Sequence, residues 1–254
     1  MSVGNGQWTE ETVGGHPCHV YRPAQINEHG YAILYLHGVH LQRLADYPAF
    51  VAELDRQGLP AVCPVTGRCW WVDRPCPDFA APWTPFRHVT NHVLPWMAAQ
   101  LQVAPPRIAL LGTSMGGQGA LQLAYRHPDL FPICAAISPA IDFHRKVDEG
   151  DPILMAMYDD SERARQDTAI LHIHPLNWPR HQFFCCDPAD YRWHDGADRL
   201  RMKLNSLGVP FECDLDTTGG GHGLEYYSLM APRAFDFILQ RLDQERRRLP
   251  ISPG

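Results

Sequence analysis

No stretch of the 254 residues approaches the roughly 20 consecutive apolar residues that a membrane-spanning helix needs. The first ten residues, Met1 to Glu10, carry neither a basic start nor an apolar run, so they do not read as a secretory signal. The net charge is -6, and basic residues cluster only at Arg246, Arg247 and Arg248. A nucleic-acid-binding domain would show a basic face. Three arginines at the end of a helix instead complement its dipole. There is no internal repeat, no low-complexity linker and no dinucleotide fingerprint. The eight cysteines are an even number, yet Cys63, Cys185 and Cys186 lie in apolar, strand-like runs where cysteine acts as a small hydrophobe. Adjacent Cys185 and Cys186 would point to opposite faces of a strand. These absences predict a soluble, cytoplasmic protein with reduced thiols, whose partner is a small molecule rather than a nucleic acid or a membrane.

What is present is an alternation of short apolar runs with helical patterns. Tyr31–Leu36, Leu59–Val65, Arg107–Leu111, Cys134–Ile137, His181–Cys186 and Phe211–Leu215 read as strands. Pro48–Gln57 reads as a helix stopped by Gly58, and Gln118–His127 as one ended by Pro128. Asn91–Leu101 is helical with Pro95 in its first turn or kinking it. Ala197, Leu200, Leu204 and Leu207 recur at helical spacing before Gly208, and a last helix runs from Tyr226 to Leu249, with Pro232 as a break or kink. Trp8–Pro23 reads as a hairpin turning at Gly14-Gly15. Strands alternating with helices predict one α/β domain over residues 1–254, a mostly parallel sheet covered on both faces. Only Phe143–Arg180 breaks the rhythm; it is polar, contains three prolines, is too short for a separate cap domain, and reads either as a flap near the active site or as a surface excursion.

The strongest local signal is Gly112-Thr113-Ser114-Met115-Gly116-Gly117, which matches G-x-S-x-G. Three fixed positions match by chance at roughly 0.0003 per window, so context must carry the assignment. Here the motif follows the apolar run Ile108–Leu111 and opens a helix, the strand–turn–helix setting that exposes a serine at a helix N-terminus. No lysine follows the glycines, which argues against a phosphate loop.

A serine hydroxyl is a weak nucleophile and needs a base held by a third group. Of 14 histidines, His222 stands out: Gly219-Gly220-Gly221-His222-Gly223 follows the last strand and precedes the last helix. The acid is expected after the fifth strand, where Asp187 and Asp190 both qualify by position. Asp195 reads as a cap of the following helix, and Asp142, after the fourth strand, is a third candidate acid.

With these segments in place, the chain resembles the α/β-hydrolase superfamily, and within it the esterase branch related to esterase D, from about residue 15 to 240. The resemblance rests on His37-Gly38, the serine turn, the acidic loop and Gly221-His222. In that branch the acid lies three residues after a glycine that ends the strand. Asp187 stands where that glycine would be, so the resemblance gives Asp190 the role of acid. It further implies an oxyanion hole from the N–H groups of Val39 and Met115. Trp70 and Trp71 follow the second strand, where relatives place pocket-wall aromatics; simple core packing accounts for them equally well.

Other histidines form no complete metal set. His88 and His92 are spaced i, i+4, but nearby residues supply no further ligand, so they read as a solvated helix face. His172-Ile173-His174 alternates like a strand without marking a site. The expected activity is therefore cofactor- and metal-free acyl transfer from a short-chain carboxylic ester to water. Thioester hydrolysis, acyl transfer to an alcohol, and an inactive binding protein of the same fold are the alternatives.

Overall fold

The computed structural model describes residues 6–80 and 82–248. The chain opens with a hairpin, β1 (Gln7–Val13) and β2 (His16–Arg22), turning at Gly14-Gly15, both in the left-handed region. Then come β3 (Ala32–Leu36), α1 (Pro48–Gln57), β4 (Ala61–Pro64), α2 (Pro85–His88) and α3 (Leu94–Gln100). The central unit is β5 (Ile108–Thr113), α4 (Met115–Arg126) and β6 (Ile133–Ile137). Short helices α5 (Arg145–Asp148), α6 (Pro152–Met157) and α7 (Ser161–Gln166) lead to β7 (His181–Cys185), α8 (His194–Leu207), β8 (Glu212–Asp214) and α9 (Leu224–Arg248).

The eight strands form one open sheet in the order β1-β2-β4-β3-β5-β6-β7-β8. β4 through β8 run parallel, and the β1–β2 hairpin adds antiparallel to the β4 edge. This is the fold class the alternating pattern predicts. The strands β3 to β7 are apolar along nearly every position because both sheet faces are covered. Ile33 and Tyr35 pack with α1 and α9, while Ala32, Leu34 and Leu36 pack on the opposite face with α3, α4 and α8. Cys185 and Cys186 divide between these two cores, and among the described residues all eight cysteines are unpaired thiols. No helix among the described residues is long and apolar enough to cross a membrane.

Several local expectations need correction. The helix expected from Asn91 begins at Pro85, because Thr84 caps it: the Thr84 hydroxyl accepts the Arg87 N–H at 3.2 Å. Pro95 is the second residue of α3 and so lies in its first turn, one of the two placements expected for it, although the helical run begins earlier. A π-type turn over Val89–Val93 precedes α3, with the Leu94 N–H bonded five residues back to Val89, which makes room for the ring. Pro232 lies inside α9 without breaking it. Leu249, the expected last residue of that helix, lies outside the described residues. His172 and His174 are not in a strand; a single helical turn, Ala169–Leu171, ends at His172. Asp195 sits in the first turn of α8 rather than at its cap position, which is Trp193. His88 does not face solvent. Its side chain is fully buried, 5.3 Å from the Phe79 ring, because the hairpin and the 76–79 loop cover that side of the helix.

Candidate active site

Order along the sheet decides where a site can form. β3 leads on to β4 on one side and β5 leads on to β6 on the other, so a crevice opens at the carboxyl ends of β3 and β5. Register does the rest. Leu36 pairs with Gly112, so the residues that follow each strand, His37-Gly38 and Thr113-Ser114, arrive side by side. A Cβ built on Gly38 would lie 3.4 Å from the Ser114 Cβ.

Ser114 occupies the sharp turn between β5 and α4 with φ 55° and ψ -118°, a conformation that L-residues rarely adopt. The turn closes only because two neighbours lack side chains. A Cβ on Gly116 would fall 1.8 Å from the Leu36 carbonyl oxygen, and one on Gly112 would fall 2.0 Å from the Gly116 carbonyl oxygen. The backbone is then pinned from β6 and the loop after it: Ser114 N–H donates to Ile137 (3.0 Å) and Ala140 N–H donates to the Ser114 carbonyl (3.0 Å). Met115 opens α4, so its N–H is one of the donors that the helix leaves unpaired at its N-terminus.

The loops after β7 and β8 bring up the remaining groups. His222 Nε2 lies 2.9 Å from Ser114 Oγ, and His222 Nδ1 lies 2.6 Å from Asp190 Oδ2. Asp190 is buried. It also accepts the Trp193 N–H (3.3 Å) and the Cys186 thiol (3.6 Å). A carboxylate can only accept, so Nδ1 carries the proton and Nε2 presents its lone pair to Ser114.

Asp187 does different work. Its side chain is fully buried and accepts three backbone N–H groups, from Ala189 (2.7 Å), Gly219 (2.6 Å) and Gly221 (2.8 Å). It staples the glycine loop of His222 onto the loop that carries Asp190. Burial alone would raise its pKa, but these three donors outweigh burial and hold the carboxyl below its ordinary value. Asp142 is buried too, but its partner is Arg199, whereas His222 Nδ1 pairs with Asp190.

His37 shapes the loop facing Ser114. Its Nδ1–H donates to the Gly38 carbonyl at 2.9 Å, and its Nε2 accepts the Thr66 N–H at 3.2 Å. Burial keeps the ring neutral, with a pKa pushed down to about 4. The Leu41 N–H also donates to the Gly38 carbonyl, at 3.1 Å. Because a trans peptide sets its N–H opposite its C=O, fixing this carbonyl fixes the direction of the Val39 N–H.

A cavity of about 210 Å³ reaches Ser114 and His222; Val39, Tyr47, Leu224 and Tyr227 are among its walls. Trp70 and Trp71 are not. Both are fully buried: Trp70 stacks on Phe143 at 5.0 Å, and the Trp71 indole N–H donates to the His37 carbonyl at 3.2 Å. Of the two readings offered for these residues, core packing is what the structure places here. Tyr227 was missed by sequence reasoning. Its hydroxyl lies 2.9 Å from His222 Nε2. Its only sequence signal was its place one helical turn into α9 after the glycine-flanked histidine. Among the described residues no group of three or more His, Cys, Asp or Glu is arranged to hold a metal ion.

An open, mostly parallel sheet with a serine on a strand–helix turn at its switch point is the architecture of an α/β-hydrolase. Residues 20–204 match the family described as "Putative esterase", and the chain belongs to that family. It is therefore an esterase. Among solved structures it is similar to a ferulic acid esterase, at 17% identity and a TM-score of 0.74 over 94% of this chain and 98% of that one. An S-formylglutathione hydrolase from Agrobacterium tumefaciens is similar at 18% identity and a TM-score of 0.71, over 95% and 97% of the two chains. The fluorophosphonate-binding serine hydrolase F of Staphylococcus aureus is similar at 14% identity and a TM-score of 0.68, over 94% and 99%. No curated protein matches the sequence. At these identities the structural likeness speaks for the fold.

Proposed function

We propose that this esterase hydrolyses short-chain carboxylic esters in the cytoplasm through Ser114, His222 and Asp190, without metal or cofactor. The observation that carries the reading is the continuous relay of 2.6 and 2.9 Å from Asp190 through His222 to Ser114. In this scheme Ser114 Oγ attacks the ester carbonyl while its proton passes to His222 Nε2. Asp190 keeps the proton on Nδ1 and stabilises the imidazolium that forms. The Val39 and Met115 N–H groups receive the developing oxyanion, the first fixed by His37 through the Gly38 carbonyl, the second supported by the α4 dipole. His222 then protonates the departing alcohol. Water, activated by the same imidazole, releases the acid and restores Ser114.

Tyr227 enters this scheme as a competitor turned helper. In the resting site its hydroxyl and that of Ser114 face the same Nε2 lone pair. Once Nε2 is protonated, the Tyr227 hydroxyl is free to donate to the substrate's oxygen.

Cavity size supports the short-chain reading. A volume of 210 Å³ is the space of roughly seven water molecules, enough for a small acyl group but not a fatty chain. Tyr47, Leu224 and Tyr227 are the bulky side chains among its walls. The 143–180 segment folds as three short helices packed on the body by Phe143, Leu154 and Ala164, in keeping with a fixed excursion of one domain rather than a lid.

The test is active-site labelling with a fluorophosphonate beside turnover of p-nitrophenyl acetate. Wild type should label and turn over. Ser114→Ala should do neither while melting normally, with turnover down on the order of 10⁴-fold or more. Labelling that survives Ser114→Ala would place the nucleophile elsewhere. A parallel thioester panel decides between oxygen and sulfur leaving groups.

A further inference from the structure

A second cavity, of about 270 Å³, lies between the 143–180 excursion and α8, and it shares no lining residue with the cavity at Ser114. Its walls carry four cationic side chains, Arg145, Arg165, Arg199 and Lys203, and one carboxylate, Asp142. Asp142 is ion-paired to Arg199 and stands 3.6 Å from Arg145, so one negative charge is shared between two guanidinium groups. Arg165 is paired with Glu162 at 2.7 Å. Lys203 meets no carboxylate among the described residues; its ammonium donates to the Ile170 carbonyl at 2.6 Å. Four cations thus face two carboxylates, leaving two positive charges in surplus in a chain whose net charge is -6. Converging like charges in a half-enclosed space repel unless an anion enters.

We propose that this cavity is a binding site for a small phosphomonoester dianion. The surplus charge matches such a group, which carries about -1.5 to -2 at neutral pH. Arginine forks suit its oxygens bidentately, and Lys203 adds a point charge. The space equals that of roughly nine waters, more than the five heavy atoms of a phosphate fill. Ile170 and Leu171 line the remainder and suit an apolar organic body on the ester. The site stands apart from the reaction at Ser114 and does not depend on it.

The experiment is calorimetric titration of phenyl phosphate into the intact protein at fixed ionic strength, with succinate and benzoate as comparisons. Lys203→Met and Arg145→Gln are the variants, because both keep the ion pair of Arg199 with the buried Asp142. Binding with a Kd on the order of 1 mM or tighter is expected, weakened about 10-fold in each variant, with p-nitrophenyl acetate turnover unchanged. Absence of binding, or equal affinity in wild type and both variants, overturns the site. Succinate or benzoate binding more tightly than phenyl phosphate overturns the assignment to a phosphoryl group.

Discussion

Replacing Asp187 and Asp190 separately by asparagine should give two different defects, although the residues lie three apart and both are buried. Asp190→Asn leaves a neutral amide against His222 Nδ1. Asparagine can present either its oxygen or its NH₂ there, and it no longer stabilises an imidazolium. Turnover should fall by roughly 10⁴-fold, with a smaller loss in melting temperature than at Asp187, because the lost partner sets the tautomer and orientation of His222. Asp187→Asn attacks the scaffold instead. One amide oxygen can replace Oδ2 for Gly219 and Gly221, but its NH₂ then faces the Ala189 N–H, and donor meets donor. A hydrogen bond to a charged group contributes about 1.5–3 kcal/mol, and one to a neutral group about 0.5–1.5. Losing one bond and the charge on two others costs roughly 3.5–6 kcal/mol. For a chain of this size that lowers the melting temperature by roughly 10–15 °C. Turnover should fall only about 10- to 100-fold, as the loosened glycine loop misplaces the imidazole. Circular dichroism melts and p-nitrophenyl acetate kinetics on both purified variants read these quantities. The reasoning fails if Asp187→Asn melts like wild type while abolishing turnover, or if Asp190→Asn retains a tenth of the wild-type rate.

Three further outcomes are expected. In a series of p-nitrophenyl esters the rate should peak between acetyl and butyryl, with no jump above the solubility limit; a maximum at octanoyl would mean that the 143–180 segment opens as a lid. Burial, then the neighbouring His16 and His92, hold the His88 pKa down to about 4. Between its ordinary 6.5 and about 4 the unfolded chain takes up a proton that the native protein refuses, so stability should fall as pH drops through that window, by at most roughly 3 kcal/mol from this residue. His37 acts in the same window, so His88→Phe should shrink, without removing, the loss of urea midpoint between pH 7 and pH 5; an unchanged pH dependence would clear His88 of that role. Gly116→Ala should yield no native protein, costing more than about 4 kcal/mol because its Cβ meets the Leu36 carbonyl; a folded, active variant on a gel-filtration column would refute the close approach.

The residues by themselves determined the layering and the chemistry of the turn. Uninterrupted apolar runs at β3, β5 and β6 required a sheet covered on both faces. Gly112, Ser114 and Gly116 between a strand and a helix required a serine presented on a sharp turn at a helix N-terminus, since local backbone geometry is written in neighbouring residues. His222 was legible for the same reason: its glycines stand beside it. Separation in the chain hid the rest. Asp187 and Asp190 are both acids after the same strand, and only the arrival of the Gly219–Gly221 backbone and of the His222 ring decided which one meets which. Trp70 and Trp71 carry no mark of the face they take, and the packing of α4 and Phe143 turned them inward. His88 looked solvated because part of its cover comes from the second strand of a hairpin, at His16, some 70 residues earlier. Tyr227 and the basic cavity between α8 and the excursion likewise exist only once distant segments meet. Such contacts follow from how elements pack across the sheet, and no short window of sequence contains both partners.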